Sequence, residues 1–168
     1  VATGGAEATG GDSGFPCISL DGRVVAFTSG ASNLVAGDTN GADDAFVHDL
    51  ATGATTRVSL TEAGAEIAIG CLLKPVMSGE GRFVAFASVD SGVVSGDTNG
   101  FGDVFIRDRT NGTTTRVNLT GAGAQQTVNF ALAAAFSSDG RYICILTDDP
   151  AFAGDDSNGV LDVIVTPR

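Results

Sequence analysis

Asp38-Thr39-Asn40-Gly41 returns as Asp97-Thr98-Asn99-Gly100 and again as Asp156-Ser157-Asn158-Gly159, each time 59 positions on. A later aspartate keeps the same step in Asp44, Asp103 and Asp162, as do Gly22-Arg23, Gly81-Arg82 and Gly140-Arg141. No insertion or deletion breaks the period. A repeat of this kind restricts the chain to one supersecondary unit stacked on copies of itself, so that each repeat is covered by its neighbours.

The middle repeat shows what the unit is. Pro75-Val76-Met77-Ser78 is a short apolar run closed by the turn Gly79-Glu80-Gly81-Arg82. Phe83-Val84-Ala85-Phe86-Ala87-Ser88 and Asp103-Val104-Phe105-Ile106-Arg107 follow, rich in aromatic and β-branched residues. Asn111-Gly112 is a hairpin signal, and Thr113 to Leu119 alternate polar with apolar. Apolar runs imply inner strands covered on both faces; the alternating run implies an outer strand with one wet face. Four short strands per repeat, joined by tight turns, make a propeller blade. The predicted fold class is an all-β propeller of four-stranded blades, three per chain, at approximately 14–60, 73–119 and 132–168. Dense Gly, Thr and Asn and the lack of a 3.6-residue period exclude a helical repeat. The stretch from Gly121 to Ala134 reads as a connector to the next blade.

Charge narrows the partners. The 168 residues carry a formal net charge of -11, with Lys74 the only lysine, which disfavours nucleic acid and anionic lipid. A cation, a basic partner or a neutral ligand fits better, although acidity also simply keeps a domain soluble. No run approaches the roughly 18 apolar residues of a membrane span. Cys17, Cys71 and Cys144 fall at non-equivalent repeat positions and form no CxxC pair, so buried thiols are expected rather than zinc ligands. A Cys17–Cys71 disulfide is the one pairing considered.

The recurring polar loop is the candidate for chemistry. Set against a calcium loop of the form Asp-x-Asp-x-Asp-Gly-x-x-Asp, Asp38, Asn40 and Asp44 fall at liganding places, with the Ala42 carbonyl between them. The matching sets are Asp97, Asn99 and Asp103 with the Phe101 carbonyl, and Asp156, Asn158 and Asp162 with the Val160 carbonyl. The first place holds Ala36, Ser95 and Gly154, and the last holds Val47, Ile106 and Val165, so any Ca2+ would bind weakly, on the order of 10⁻⁴–10⁻³ M. The same residues also suit Asx-turns and a positive-φ Asn-Gly turn.

Ser19-Leu20-Asp21-Gly22-Arg23-Val24-Val25-Ala26-Phe27 and Ser138-Asp139-Gly140-Arg141-Tyr142-Ile143 resemble the Ser-x-Asp-Gly-(Lys/Arg)-x-(Ile/Val)-Ala-Phe signature of TolB-like (WD-like) β-propellers. Phe46-Val47-His48-Asp49-Leu50 and Thr56-Arg57-Val58 match the later half of that repeat. The resemblance covers nearly the whole chain; Glu80 departs from it at the aspartate place. It implies blade type rather than function, since related propellers bind proteins or gate peptidases of the prolyl oligopeptidase type.

Propellers close with about four to eight blades. Three blades leave two apolar faces open, and the sequence runs out after Asp162-Val163-Ile164-Val165, before a fourth strand of the last blade. Two arrangements follow: a homodimer forming a six-bladed ring, or half of a longer chain. Pro167 blunts the last strand's edge, which favours a natural end and the homodimer.

Catalytic signatures are weak. Gly11-Asp12-Ser13-Gly14 resembles a serine-protease nucleophile segment, but the sole histidine, His48, follows it in the chain, and no triad can be assembled. Asp148-Asp149 and Asp155-Asp156 read as solvated loop acids, and Arg57 and Arg116 as residues of a solvated outer face. The combined expectation is a secreted or periplasmic, non-catalytic binding or scaffold module, with a protein or glycan ligand. The alternative is an accessory propeller of a larger secreted hydrolase or glycan-active enzyme.

Overall fold

The computed structural model describes residues 1–127, 131–152 and 160–168. Among these there are eleven strands and no helix. β1 (Ser13–Ile18), β2 (Val24–Ser29), β3 (Asp44–Asp49) and β4 (Ala54–Arg57) form one antiparallel sheet in the order β1-β2-β3-β4. β5 (Leu72–Met77), β6 (Phe83–Ser88), β7 (Asp103–Asp108) and β8 (Thr113–Arg116) repeat it. β9 (Ala131–Phe136), β10 (Tyr142–Thr147) and β11 (Asp162–Pro167) make a third, three-stranded sheet.

The tight turn between the first two strands is written in the signature residues. Asp21 accepts the Ser19 hydroxyl at 2.6 Å and the Arg23 N–H at 3.0 Å, while Gly22 takes φ 71°, a left-handed value that glycine adopts without a Cβ penalty. Asp139 repeats both bonds with Ser137 and Arg141. Glu80 stands in the middle turn, and Gly81 keeps the left-handed backbone at φ 74°.

The apolar runs have their expected cause. Val84, Ala85 and Phe86 in β6 are at most 1% exposed, because sheets lie on both sides of them. One core joins Ala26, Val47 and Val58 of the first sheet to Val84, Phe86 and Phe105 of the second. The next joins Ala85, Val104 and Ile106 to Ile143 and Ile145 of the third. Each of the valine, isoleucine and phenylalanine side chains contributes about 1.5–3 kcal/mol on burial. Residues 1–8 lie along the other side of the first sheet, where Ala2 and Ala8 pack with Phe27, Leu34 and Phe46.

One local expectation is corrected. The outer strand ends at Arg116, not Leu119, because the Asn118 side chain takes over the ladder by accepting the Val104 N–H at 2.9 Å. Ser13 and Gly14 open β1. β1 and β5 are each bulged, and hold Phe15 at φ 52° and Leu73 at φ 55°, values uncommon for bulky side chains. All three cysteines are thiols, so the Cys17–Cys71 pairing is not made. Cys17 and Cys71 instead pack against the core between the first two sheets.

Candidate functional site

The polar loops converge on an arginine. Asp38 and Asn40 lie in the loop after β2, Asp44 opens β3, Arg57 ends β4, and Glu66 sits in the connector toward the second sheet. Arg57 reaches Asp38 at 3.2 Å and Asp44 at 3.5 Å, and also pairs with Glu66. Its side chain is 6% exposed and stands over the Phe46 ring at 5.9 Å. This corrects the expectation of a solvated face. Strand alternation places Arg57 on the same side as Thr55, and that side is roofed at Arg57 by the loop and the connector.

The second repeat builds the same cluster with one charge fewer. Arg116 lies 3.1 Å from Asp97 and 3.4 Å from Asp103, and donates to the Gln125 side-chain oxygen at 3.1 Å. Gln125 occupies the repeat position of Glu66. Both connector residues clamp the loop threonine: Glu66 accepts the Thr39 N–H at 2.9 Å and its hydroxyl at 2.6 Å, and Gln125 accepts the Thr98 N–H at 3.1 Å. In the third repeat Asp156 and Asn158 fall outside the described residues; Asp162 opens β11, half-buried.

The asparagines act as turn-formers. Asn40 Oδ1 accepts the Ala42 N–H at 2.9 Å, and its amide NH2 donates to Asp44 at 3.0 Å and to the Ile67 carbonyl at 2.9 Å. The atom facing Asp44 is therefore a donor nitrogen rather than a ligand oxygen. Asn99 makes the same set with Phe101, Asp103 and Gln126, at 3.1–3.4 Å. The inner aspartates are held from behind: Ser59 donates to Asp44 at 2.7 Å, and Asn118 to Asp103 at 2.5 Å.

Protonation follows from this packing. Burial pushes the Asp44 carboxyl up, against the Ser59 hydrogen bond and the Arg57 charge. Burial likewise raises Asp97, and the neighbouring Asp103 charge adds to it. For Glu66, burial opposes ionisation but is outweighed by the Thr39 bonds and Arg57, so the carboxyl is held down at about 2. Asp38, Asp44 and Glu66 each offer an oxygen within 4.8 Å of the others, the kind of convergence a cation would use. The Arg57 guanidinium already provides the positive charge there, so a calcium ion fits only if that side chain moves out.

The other candidates are tied up. Ser13 Oγ lies 2.8 Å from Ser29 Oγ, and His48 Nδ1 lies 2.8 Å from Thr55 Oγ1. Ser13 thus meets a serine rather than His48, and the Thr55 hydroxyl donates to the Val1 carbonyl at 2.7 Å. Asp149 accepts the N–H groups of Thr127 and Ala151, holding two stretches of backbone together.

The residues that sequence reasoning missed are Arg57, Arg116, Glu66 and Gln125 as cluster members. Their signal was the same 59-residue step that marks the aspartates.

No protein-family model matches the sequence, and no curated protein matches it. Among solved structures, TolB from Acinetobacter baumannii is similar with a TM-score of 0.55 and 22% identity, over 92% of this chain and 29% of that one. The β-propeller domain of the Trilobed protease from Pyrococcus furiosus, described as having an open velcro topology, gives a TM-score of 0.57 and 12% identity. That match covers 96% of this chain and 41% of the other. The chain spans less than half the length of either structure. Its fold is a TolB-like β-propeller fold, three blades of it.

Proposed function

We propose that this chain is a non-catalytic binding or scaffold module, half of a six-bladed propeller completed by a second copy. The observation that carries the reading is the stacking order: the first sheet packs on the second and the second on the third, so the first and last sheets each have an apolar face without a partner sheet, that of the first covered in part by residues 1–8. The engagement of Ser13 and His48 by Ser29 and Thr55 supports the absence of catalysis. A protein or glycan ligand suits the neutral and acidic surface, and a secreted or periplasmic location rests on the resemblance to TolB-like propellers. Analytical ultracentrifugation at micromolar protein tests the assembly. A two-chain mass is expected, and a stable monomer overturns it.

The alternative, an accessory propeller of a larger hydrolase, is favoured by the likeness to a propeller domain of a protease. It predicts a monomeric chain that gains solubility only when joined to further blades. Calcium stabilisation belongs to the same proposal at Asp38, Asp44 and Glu66, where the carboxylates converge. It requires displacement of Arg57.

A further inference from the structure

A ring made from two copies can be joined in several ways, and the repeat selects one. On β3, Ala45 and Val47 are 1% and 0% exposed; on β7, Val104 and Ile106 are 0% and 2% exposed. In both cases the next sheet covers them. Val163 and Val165 hold the same repeat positions on β11, and are 64% and 62% exposed. In register beside them on β10 lie Leu146 and Cys144, half-buried, whereas the equivalents of Cys144, Ala26 and Ala85, are both 0% exposed.

The complementary surface is on the other side of the first sheet. Val84 and Phe86 of β6, and Ile143 and Ile145 of β10, are covered by the preceding sheet and at most 1% exposed. Their equivalents in β2 are less completely covered: Val25 is half-buried, Phe27 is 8% exposed beneath residues 1–8, and both line an open hollow with Val1 and Pro16. The two filled seams show what a matching joint contains. Cys71 N–H donates to the Asp43 carbonyl at 2.6 Å, and Ala131 N–H to the Gly102 carbonyl at 2.9 Å. The carbonyl at the next repeat position is that of Leu161, a residue 54% exposed.

We infer that the Val163–Val165 face of one copy seats on the Val25–Phe27 face of a second, twice, around a two-fold axis. The inference rests on the two-copy reading above and names its joint. The template is internal, since the molecule already makes this contact between its first and second sheets and between its second and third.

The test is a glutamate on the exposed face. Val163→Glu leaves the single chain's packing intact, and far-UV circular dichroism verifies its fold; Val165→Lys repeats the test next door. Both variants are expected to weaken the pair by about 100-fold or more, because each buries an unpaired charge. Leu50→Glu, on the β3–β4 turn, is expected to leave it unchanged. Site-resolved alkylation should find Cys144 protected in the wild-type pair and reactive in the Val163 variant. A wild-type pair that survives both substitutions overturns this joint while leaving the two-copy reading standing. A wild-type monomer, or an assembly larger than two chains, overturns the two-copy reading itself.

Discussion

Arg57 lies 3.2 Å from Asp38 across a gap that strand pairing does not bridge, and 59 residues later Arg116 repeats the contact with Asp97 at 3.1 Å. Each arginine ties three pieces of chain together: the long loop, the end of the outer strand and the connector to the next sheet. The side chains are 6% and 9% exposed, so the carboxylates around them depend on the guanidinium for compensation. Removing one partner of a buried ion pair costs about 3–5 kcal/mol. Arg57→Met is expected to destabilise by that order, and Arg116→Met by less, because Gln125 replaces an acid in its cluster. Urea unfolding of the two variants checks the ranking.

The same substitution decides the calcium question. With Arg57→Met, the Asp38, Asp44 and Glu66 carboxylates face one another without a cation. Millimolar calcium is then expected to recover part of the lost melting temperature, and to shift wild type much less, since the guanidinium holds the place. Differential scanning fluorimetry reads both. A variant that does not respond to calcium excludes metal binding by this cluster.

Glu66 sets a pH dependence whose sign can be worked out. Its carboxyl falls from an ordinary 4.5 to about 2 in the fold, held by Thr39 and Arg57 against the cost of burial. A depressed carboxylate contributes stability that is complete above about pH 4.5 and is lost as pH falls toward 2. Asp44, raised by burial, contributes with the opposite sign, and Asp108, held down by Arg82, adds to the loss. Because those groups remain in Glu66→Gln, the comparison isolates Glu66. The variant's urea midpoint is expected to fall less steeply than wild type below pH 4.5. Gln125 shows that a neutral residue fits the position.

The blade architecture was legible because its causes are local. Apolar runs mark covered strands, and Ser-x-Asp-Gly turns such as Ser19 to Gly22 close their own hydrogen bonds. The loop aspartates were legible as a motif, but their partner was not. Alternation along β4 assigns Arg57 to a face, and what covers that face is Glu66, nine residues on, and Asp38, nineteen residues back. Only a long-range contact turns a surface arginine into a buried one. The repeat of arginine at 57 and 116, matched by Glu66 and Gln125, was the available signal. The bulges at Phe15 and Leu73 had no such signal, since bulky apolar residues are the last expected at positive φ.

Gly70 reports on how tightly the first two sheets meet. It sits at φ 86°, and a Cβ there would lie 2.6 Å from the Asp43 carbonyl oxygen and 2.7 Å from the Ala42 Cβ. The adjacent Cys71 N–H donates to that same carbonyl at 2.6 Å, so the backbone cannot retreat without losing the bond. An alanine must therefore bear a left-handed conformation, about 1–2 kcal/mol, and overpacking of about 1–3 kcal/mol. Gly70→Ala is expected to destabilise by about 2–5 kcal/mol in urea unfolding. Gly96→Ala, also at positive φ (79°) but in open space, bears only the conformational part. The difference between the two midpoints measures the close approach itself, and equal midpoints would mean that the sheets do not meet at Gly70.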